Sequence, residues 1–97
     1  IYFVHQGEKA SRAAALLAEQ CRDAGWKVMV HAGSTGFKSQ FRRADLSGAR
    51  LAIVIGEQEL EQGKVAVKPL RESENGTIEN QFEVAQTDLI QVLSERM

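Results

Sequence analysis

The sequence predicts an α/β fold: three layers, with a mixed, mostly parallel five-stranded sheet flanked by three helices. Three observations predict it. Short β-branched or aromatic runs alternate with amphipathic helical stretches. One run, Leu51-Ala52-Ile53-Val54-Ile55, is wholly apolar, as befits a central strand covered on both faces. The opening strand, helix and strand follow in the order of a right-handed parallel crossover. The chain has 97 residues, which suits one domain spanning 1–97. A domain of this size buries only about two-thirds of its unfolded surface, so its core is small.

Residues 1–5, Ile-Tyr-Phe-Val-His, read as a buried strand that Gln6-Gly7 ends. Residues 8–24 are Ala-rich and helical. Ala10, Ala13, Ala14, Leu17, Cys21 and Ala24 recur at spacings of three and four and share one face, which can approach a sheet closely. Gly25 is a left-handed helix stop. Cys21 on that face reads as a small buried hydrophobe, since no activating base accompanies it. Trp26 to His31 is a second strand, with Val28 and Val30 alternating against Lys27 and Met29.

The loop Gly33-Ser34-Thr35-Gly36 leads into a helix at Phe37 to Asp45, with Phe37, Phe41 and Ala44 inward and Lys38, Arg42 and Arg43 around the rest. Gly48 ends that element. After the apolar strand, 57–63 reads as a polar connection. Lys64 to Lys68 alternates like a half-exposed strand, and Pro69 marks an edge or a strand end. Ser73 to Thr77 is a turn. Ile78 to Val84 is a weaker strand or an extended segment. Thr87 to Met97 is a last helix, with Leu89, Ile90 and Leu93 on its apolar side.

Composition excludes several classes. Hydrophobic residues make up 43% and charged residues 26%, which rules out a disordered tail. A single Cys forms no internal disulfide and fits a reducing compartment. The longest apolar run is far short of the ~20 residues that span a bilayer. Asn75-Gly76-Thr77 matches a glycosylation acceptor, but Asn-Gly is first a turn dipeptide. A net charge of -1 argues against non-specific coating of nucleic acid. The chain begins at Ile1 rather than Met, so it reads as a piece of a longer protein.

Chemistry-bearing motifs are few. His5, His31 and Cys21 lack metal-ligand spacing, and no metal site is expected. Ser34 and Ser39 have no nucleophile-elbow context. A strand, a Gly-rich loop and a helix can present N–H groups to an anion. The spacing here fits neither the P-loop nor the dinucleotide fingerprint, and a plain turn capped by Ser34 or Thr35 explains it as well. Charge is sorted more than the total implies. From Gly36 to Arg71 seven basic residues stand against four acidic ones, a net +3. Lys38, Arg42 and Arg43 fit phosphate contacts or a solvated helix face. Glu57, Glu59 and Glu61 fit acceptors for the donors of unstacked bases, or a solvated acidic turn. Phe37 can stack a base or pack its helix.

Residues 33–70, GSTGFKSQFRRADLSGARLAIVIGEQELEQGKVAVKPL, carry a family resemblance. The parts are the Gly-rich loop, F-K-x-Q-F, R-A-D-x-x-G-A-R, G-E-x-E-L-x-x-G and V-A-V-K. Together they resemble the C-terminal anticodon-binding domain of bacterial histidyl-tRNA synthetases, class II aminoacyl-tRNA synthetases. The similarity extends more weakly through IYFVHQGE upstream and VAQTDLIQVL downstream. The resemblance implies a fold shared with threonyl-, prolyl- and glycyl-tRNA synthetases. It also implies recognition of the GUG anticodon of a histidine tRNA. In related threonyl enzymes a Glu of the G-x-x-E turn and a basic residue closing the V-A-V strand contact anticodon bases. Glu59 and Lys68 match them here. Lys68 stands where that relative has Arg, and Lys lacks the bidentate fork.

The RNA-binding residues so implied are Phe37, Lys38, Gln40, Arg42, Glu57, Glu59 and Lys68. The parent enzyme of such a domain ligates histidine to tRNA with ATP and magnesium, in a catalytic domain expected upstream. This domain itself carries no catalytic residues and needs no cofactor. The implied location is the cytoplasm. The family's dimer forms largely through catalytic domains, which leaves the isolated piece free to be a monomer. A regulatory or protein-interaction module reusing the same fold is the alternative reading.

Overall fold

A computed structural model describes residues 1–32, 36–71 and 81–96, with the side chain of Arg96 left aside. The strands are β1 (Tyr2–His5), β2 (Met29–Val30), β3 (Leu51–Ile55), β4 (Lys64–Pro69) and β5 (Phe82–Ala85). The helices are α1 (Glu8–Asp23), α2 (Phe37–Leu46), α3 (Glu57–Glu61) and α4 (Leu89–Arg96), the last entered through a 3-10 turn at Gln86–Asp88. The sheet order is β2-β1-β3-β4-β5. β1 pairs parallel with β2 and β3, while β3–β4 and β4–β5 are antiparallel.

The mixed five-stranded sheet is therefore as expected, but its pairings divide evenly rather than being mostly parallel. A fourth helix is also present. Glu57–Glu61, read as a polar connection, forms α3. Five residues are too few to show a helical period, so the sequence hid it. β4 is an interior strand. Pro69 pairs with Leu51 at the strand's end, and β5 covers β4 only from Lys64 to Val67. The missing N–H of Pro69 thus faces no partner strand among the described residues. β2 shrinks to two residues, with Met29 exposed while Val28 and Val30 pack on the core. The expected turn at Ser73 to Thr77 and the start of the 78–84 strand lie outside the described residues.

Strand alternation builds two cores. Phe3, Leu51, Ile53, Ile55, Val65 and Val67 face α1 and α4, meeting Ala10, Ala14, Leu17, Ala18, Cys21, Leu89 and Leu93. Each fully buried large side chain there, such as Phe3 or Ile53, contributes roughly 1.5–3 kcal/mol. Tyr2, Val4, Val54 and Ala66 face the opposite way, against Ala44, Phe37 and Phe41 of α2. Ala24, expected on the inner face of α1, is exposed because the helix has already ended. Gly25 turns the chain at φ 98°, a conformation that favours glycine.

The winding sets up a crevice. The β1–α1–β2 unit places β2 on one side of β1, with α1 on one face. The β2–α2–β3 unit crosses back to the other side, with α2 on the opposite face. The carboxyl ends of β1 and β3 therefore flank a topological switch point, where open α/β sheets leave room for a ligand.

Candidate nucleic-acid interface

A cleft of about 550 Å³ opens at this switch point, lined by Gln6, Gly7, Phe37, Gly56, Glu57, Gln58 and Glu59. Gly56 directly follows β3 and Gly7 lies two residues beyond the end of β1, so a residue without a side chain stands just past each of these two strands. Gly7 adopts φ 100° and ψ 154°, a region almost confined to glycine. A Cβ there would lie 3.4 Å from Glu57 Oε1. At Gly56 a Cβ would come within 3.0 Å of Glu59 Oε2 and 3.6 Å of the Phe37 ring. The two glycines thus make the space in which two carboxylates and an aromatic ring converge.

α3 carries the acids. Its Leu60 packs against the larger core, which fixes how the short helix sits. Glu59 is half-buried beside Gly56, while Glu57 and Gln58 are exposed at the cleft's rim. Glu61 is exposed and takes no part in the cleft lining.

From Phe37 an aromatic strip runs along α2. The rings of Phe37 and Phe41, one helical turn apart, have centroids 6.2 Å apart. Lys68 of β4 continues the strip, its Nζ lying 4.4 Å from the Phe41 centroid. Lys38 and Arg42 are exposed on the next stripe of α2. Beyond them Arg71 clips the end of the helix, its Nη1 donating to Asp45 Oδ1 at 2.9 Å and its Nη2 to the Asp45 carbonyl at 2.6 Å.

A carboxylate accepts hydrogen bonds and cannot donate them, so the cleft suits a ligand edge that carries N–H donors. An aromatic wall suits a flat ring. An exposed cationic stripe suits phosphates. That combination is what unstacked nucleotides require.

The family model described as "Anticodon binding domain" matches residues 1–96. The chain belongs to the anticodon-binding domain family. The histidine–tRNA ligase of Laribacter hongkongensis is 50% identical over 97 residues, covering 100% of this chain and 22% of that protein. That of Bordetella pertussis is 54% identical over 71 residues, covering 73% of this chain and 17% of the relative. The chain thus spans about a fifth of the length of the curated relatives it matches. Among solved structures, the apo Staphylococcus aureus histidyl-tRNA synthetase has a TM-score of 0.78 at 31% identity, covering 94% of this chain and 25% of that one. The RNA binding domain of threonyl-tRNA synthetase from Cryptosporidium parvum has a TM-score of 0.81 at 21% identity, over 97% of this chain and 22% of that one, a likeness of fold.

Within this anticodon-binding domain the seven residues singled out from sequence do not form one patch. Phe37, Glu57 and Glu59 meet at the cleft. Lys68 sits at the far end of the aromatic strip, and Lys38 and Arg42 border it. Gln40 departs from expectation. It is fully buried and turned toward the sheet. Its Oε1 accepts from the His5 N–H at 2.8 Å, and its Nε2 donates to the His5 carbonyl at 2.6 Å. The reason lies in β2. Met29 N donates to the Ile1 carbonyl and His31 N to the Phe3 carbonyl, so His5 presents its polar groups on the same side, where β2 has already ended. The Gln40 amide takes the place of the missing strand. Gln40 thereby holds the end of β1, and with it the Gln6-Gly7 wall of the cleft.

The sequence reading missed Gln6, Gly7, Gly56 and Gln58. Their signal was available, because Gly7 and Gly56 each follow a strand that the crossover makes parallel. The α2 cap residue is Gly36, not Ser34 or Thr35, and residues 33–35 lie outside the described residues. Two histidines lie near the other flank of α2. Tyr2 Oη is 2.8 Å from His31 Nδ1, and His5 Nε2 is 2.9 Å from the His31 carbonyl. Burial, with His5 and Arg43 nearby, pushes the His31 imidazole below its ordinary value. Among the described residues no group of three His, Cys, Asp or Glu is placed to hold a metal. Cys21 is buried, and burial pushes its thiol up. None of the described helices is long and apolar enough to cross a membrane.

Proposed function

We propose that this chain binds the anticodon loop of a histidine tRNA and reads its GUG anticodon, as one module of a longer histidine–tRNA ligase. The observation that carries the reading is the cleft at the switch point. There Glu57 and Glu59 converge on the Phe37 ring, in a family defined by anticodon binding. A splayed base entering the cleft offers its N–H donors to the carboxylates while Phe37 supports its face. The cations Lys38 and Arg42 lie outside the cleft, where the sugar-phosphate backbone runs.

In the same proposal, histidine activation with ATP and magnesium belongs to a separate catalytic domain of the parent protein. That protein works as a dimer in the cytoplasm. This domain contributes binding and orientation only. The test is binding of labelled GUG and scrambled anticodon stem-loops. The chain should prefer the GUG loop, and Glu59→Ala should reduce the preference by roughly 1–3 kcal/mol, the worth of a good base contact. Equal binding of both loops by the unsubstituted chain would refute the proposal.

A further inference from the structure

We infer that Lys68 anchors a backbone phosphate of the bound RNA rather than reading a base, and that Phe41 positions it for that task. The inference rests on the RNA-binding reading above and assigns the far end of its surface.

The Lys68 ammonium lies over the Phe41 ring at 4.4 Å from the centroid, within the range of a cation–π attraction. The ring takes one hemisphere of the charge and offers no lone pair, so the ammonium's donors remain available to oxygen acceptors. The ion pairs among the described residues are made by Arg12, Arg22 and Arg71, and among those residues no carboxylate pairs with Lys68. A compact point charge suits a phosphate oxygen, whereas planar recognition of a base edge favours the guanidinium fork.

Register separates Lys68 from the cleft. Lys68 lies opposite Ala52, and Gly56 is four residues further along the β3 direction. At ~3.3 Å per residue the two ends of the surface are about 13 Å apart. The backbone positions that carry Lys68 and the cleft thus stand at opposite ends of the surface. Between them run the rings of Phe37 and Phe41, bordered by Lys38 and Arg42. The charges divide accordingly. Carboxylates repel phosphate, so they serve the base end, and the cation at the opposite end serves the backbone.

The experiment measures affinity for GUG and scrambled stem-loops across a series of salt concentrations. Lys68→Ala and Lys68→Gln should weaken both loops by one common factor and leave the preference for GUG unchanged. One lost phosphate contact on a single strand lowers the salt slope by about 0.7, so the affinity ratio of unsubstituted chain to variant should fall about 2.6-fold for a fourfold rise in salt. Phe41→Leu should move affinity and slope in the same direction, and Phe41→Trp should restore both. Neutral methylphosphonates placed singly around the loop should reveal one position that weakens the unsubstituted chain but not Lys68→Ala. Inorganic phosphate at matched ionic strength should not compete, which separates the RNA backbone from a free-phosphate site. Loss of GUG preference with an unchanged slope would make Lys68 a base reader, and unchanged affinity would place it off the RNA path. Either outcome overturns the inference while RNA binding stands. An unsubstituted chain that binds neither loop overturns the underlying reading as well.

Discussion

Replacing Gln40 by methionine keeps an unbranched side chain in the same space and removes both of its hydrogen-bonding ends. The His5 N–H and carbonyl then lose their partners in a buried setting, since both bonds to Gln40 are shielded from solvent. A buried polar group left unsatisfied costs about 1–3 kcal/mol, so two such groups set a ceiling of roughly 6 kcal/mol. Methionine avoids the cost of burying an amide, which offsets part of this and leaves an expected loss of about 2–4 kcal/mol. For a domain of this size each kcal/mol lowers the melting temperature by roughly 4–8 °C. Urea unfolding followed by circular dichroism should show a lower midpoint with an unchanged slope, because the surface exposed on unfolding is the same. Gln40→Glu supplies a control. Its ionised carboxylate accepts from the His5 N–H but faces the His5 carbonyl without a donor, so the deficit of this variant relative to the unsubstituted chain should be larger at pH 8 than at pH 5. A Gln40→Met loss within ~0.5 kcal/mol, as for an ordinary surface substitution, would refute the strand-replacing role.

Gly56→Ala should lower affinity for the GUG loop with little effect on stability, because its Cβ meets the movable end of Glu59 at 3.0 Å; parallel binding and unfolding titrations check this. Gly7→Ala should cost roughly 1–3 kcal/mol from backbone strain at φ 100°, read by urea unfolding. The lowered His31 value means that the unfolded chain takes up a proton at higher pH than the native one. Stability should therefore be full above about pH 6.5, the ordinary histidine value, and fall as the pH drops through it; His31→Gln should flatten that part of a stability–pH curve. Cys21 should resist thiol reagents in the native state and react once urea unfolds the chain, since its thiol is buried and pushed up.

Much of the fold was legible because burial leaves a period in the sequence. The apolar run Leu51 to Ile55 became a wholly buried strand, and the spacing of Ala10, Ala14, Leu17 and Cys21 became the inner face of α1. α3 was hidden because five residues, four of them polar, form barely more than one turn. Gln40 misled through the family resemblance. Its spacing of three from Phe37 and four from Ala44 already placed it on the buried face, but its place in the F-K-x-Q-F motif implied an RNA contact. At the cleft, Phe37 and the acids were visible as side chains with chemistry. Gly7 and Gly56 were not, because they act by leaving space, and that shows only once two parallel strands bring their ends together. The long reach from Glu59 to Lys68 was also invisible, being fixed by the antiparallel register of β3 and β4.

The amide of Gln40 has a further consequence for how the protein behaves in company. β2 stops at Val30, which would leave the last stretch of β1 with bare ladder groups beside the sheet's margin. Unpaired strand edges recruit strands from other chains and start aggregates. By filling the His5 positions from a helix, the chain seals that margin without lengthening β2.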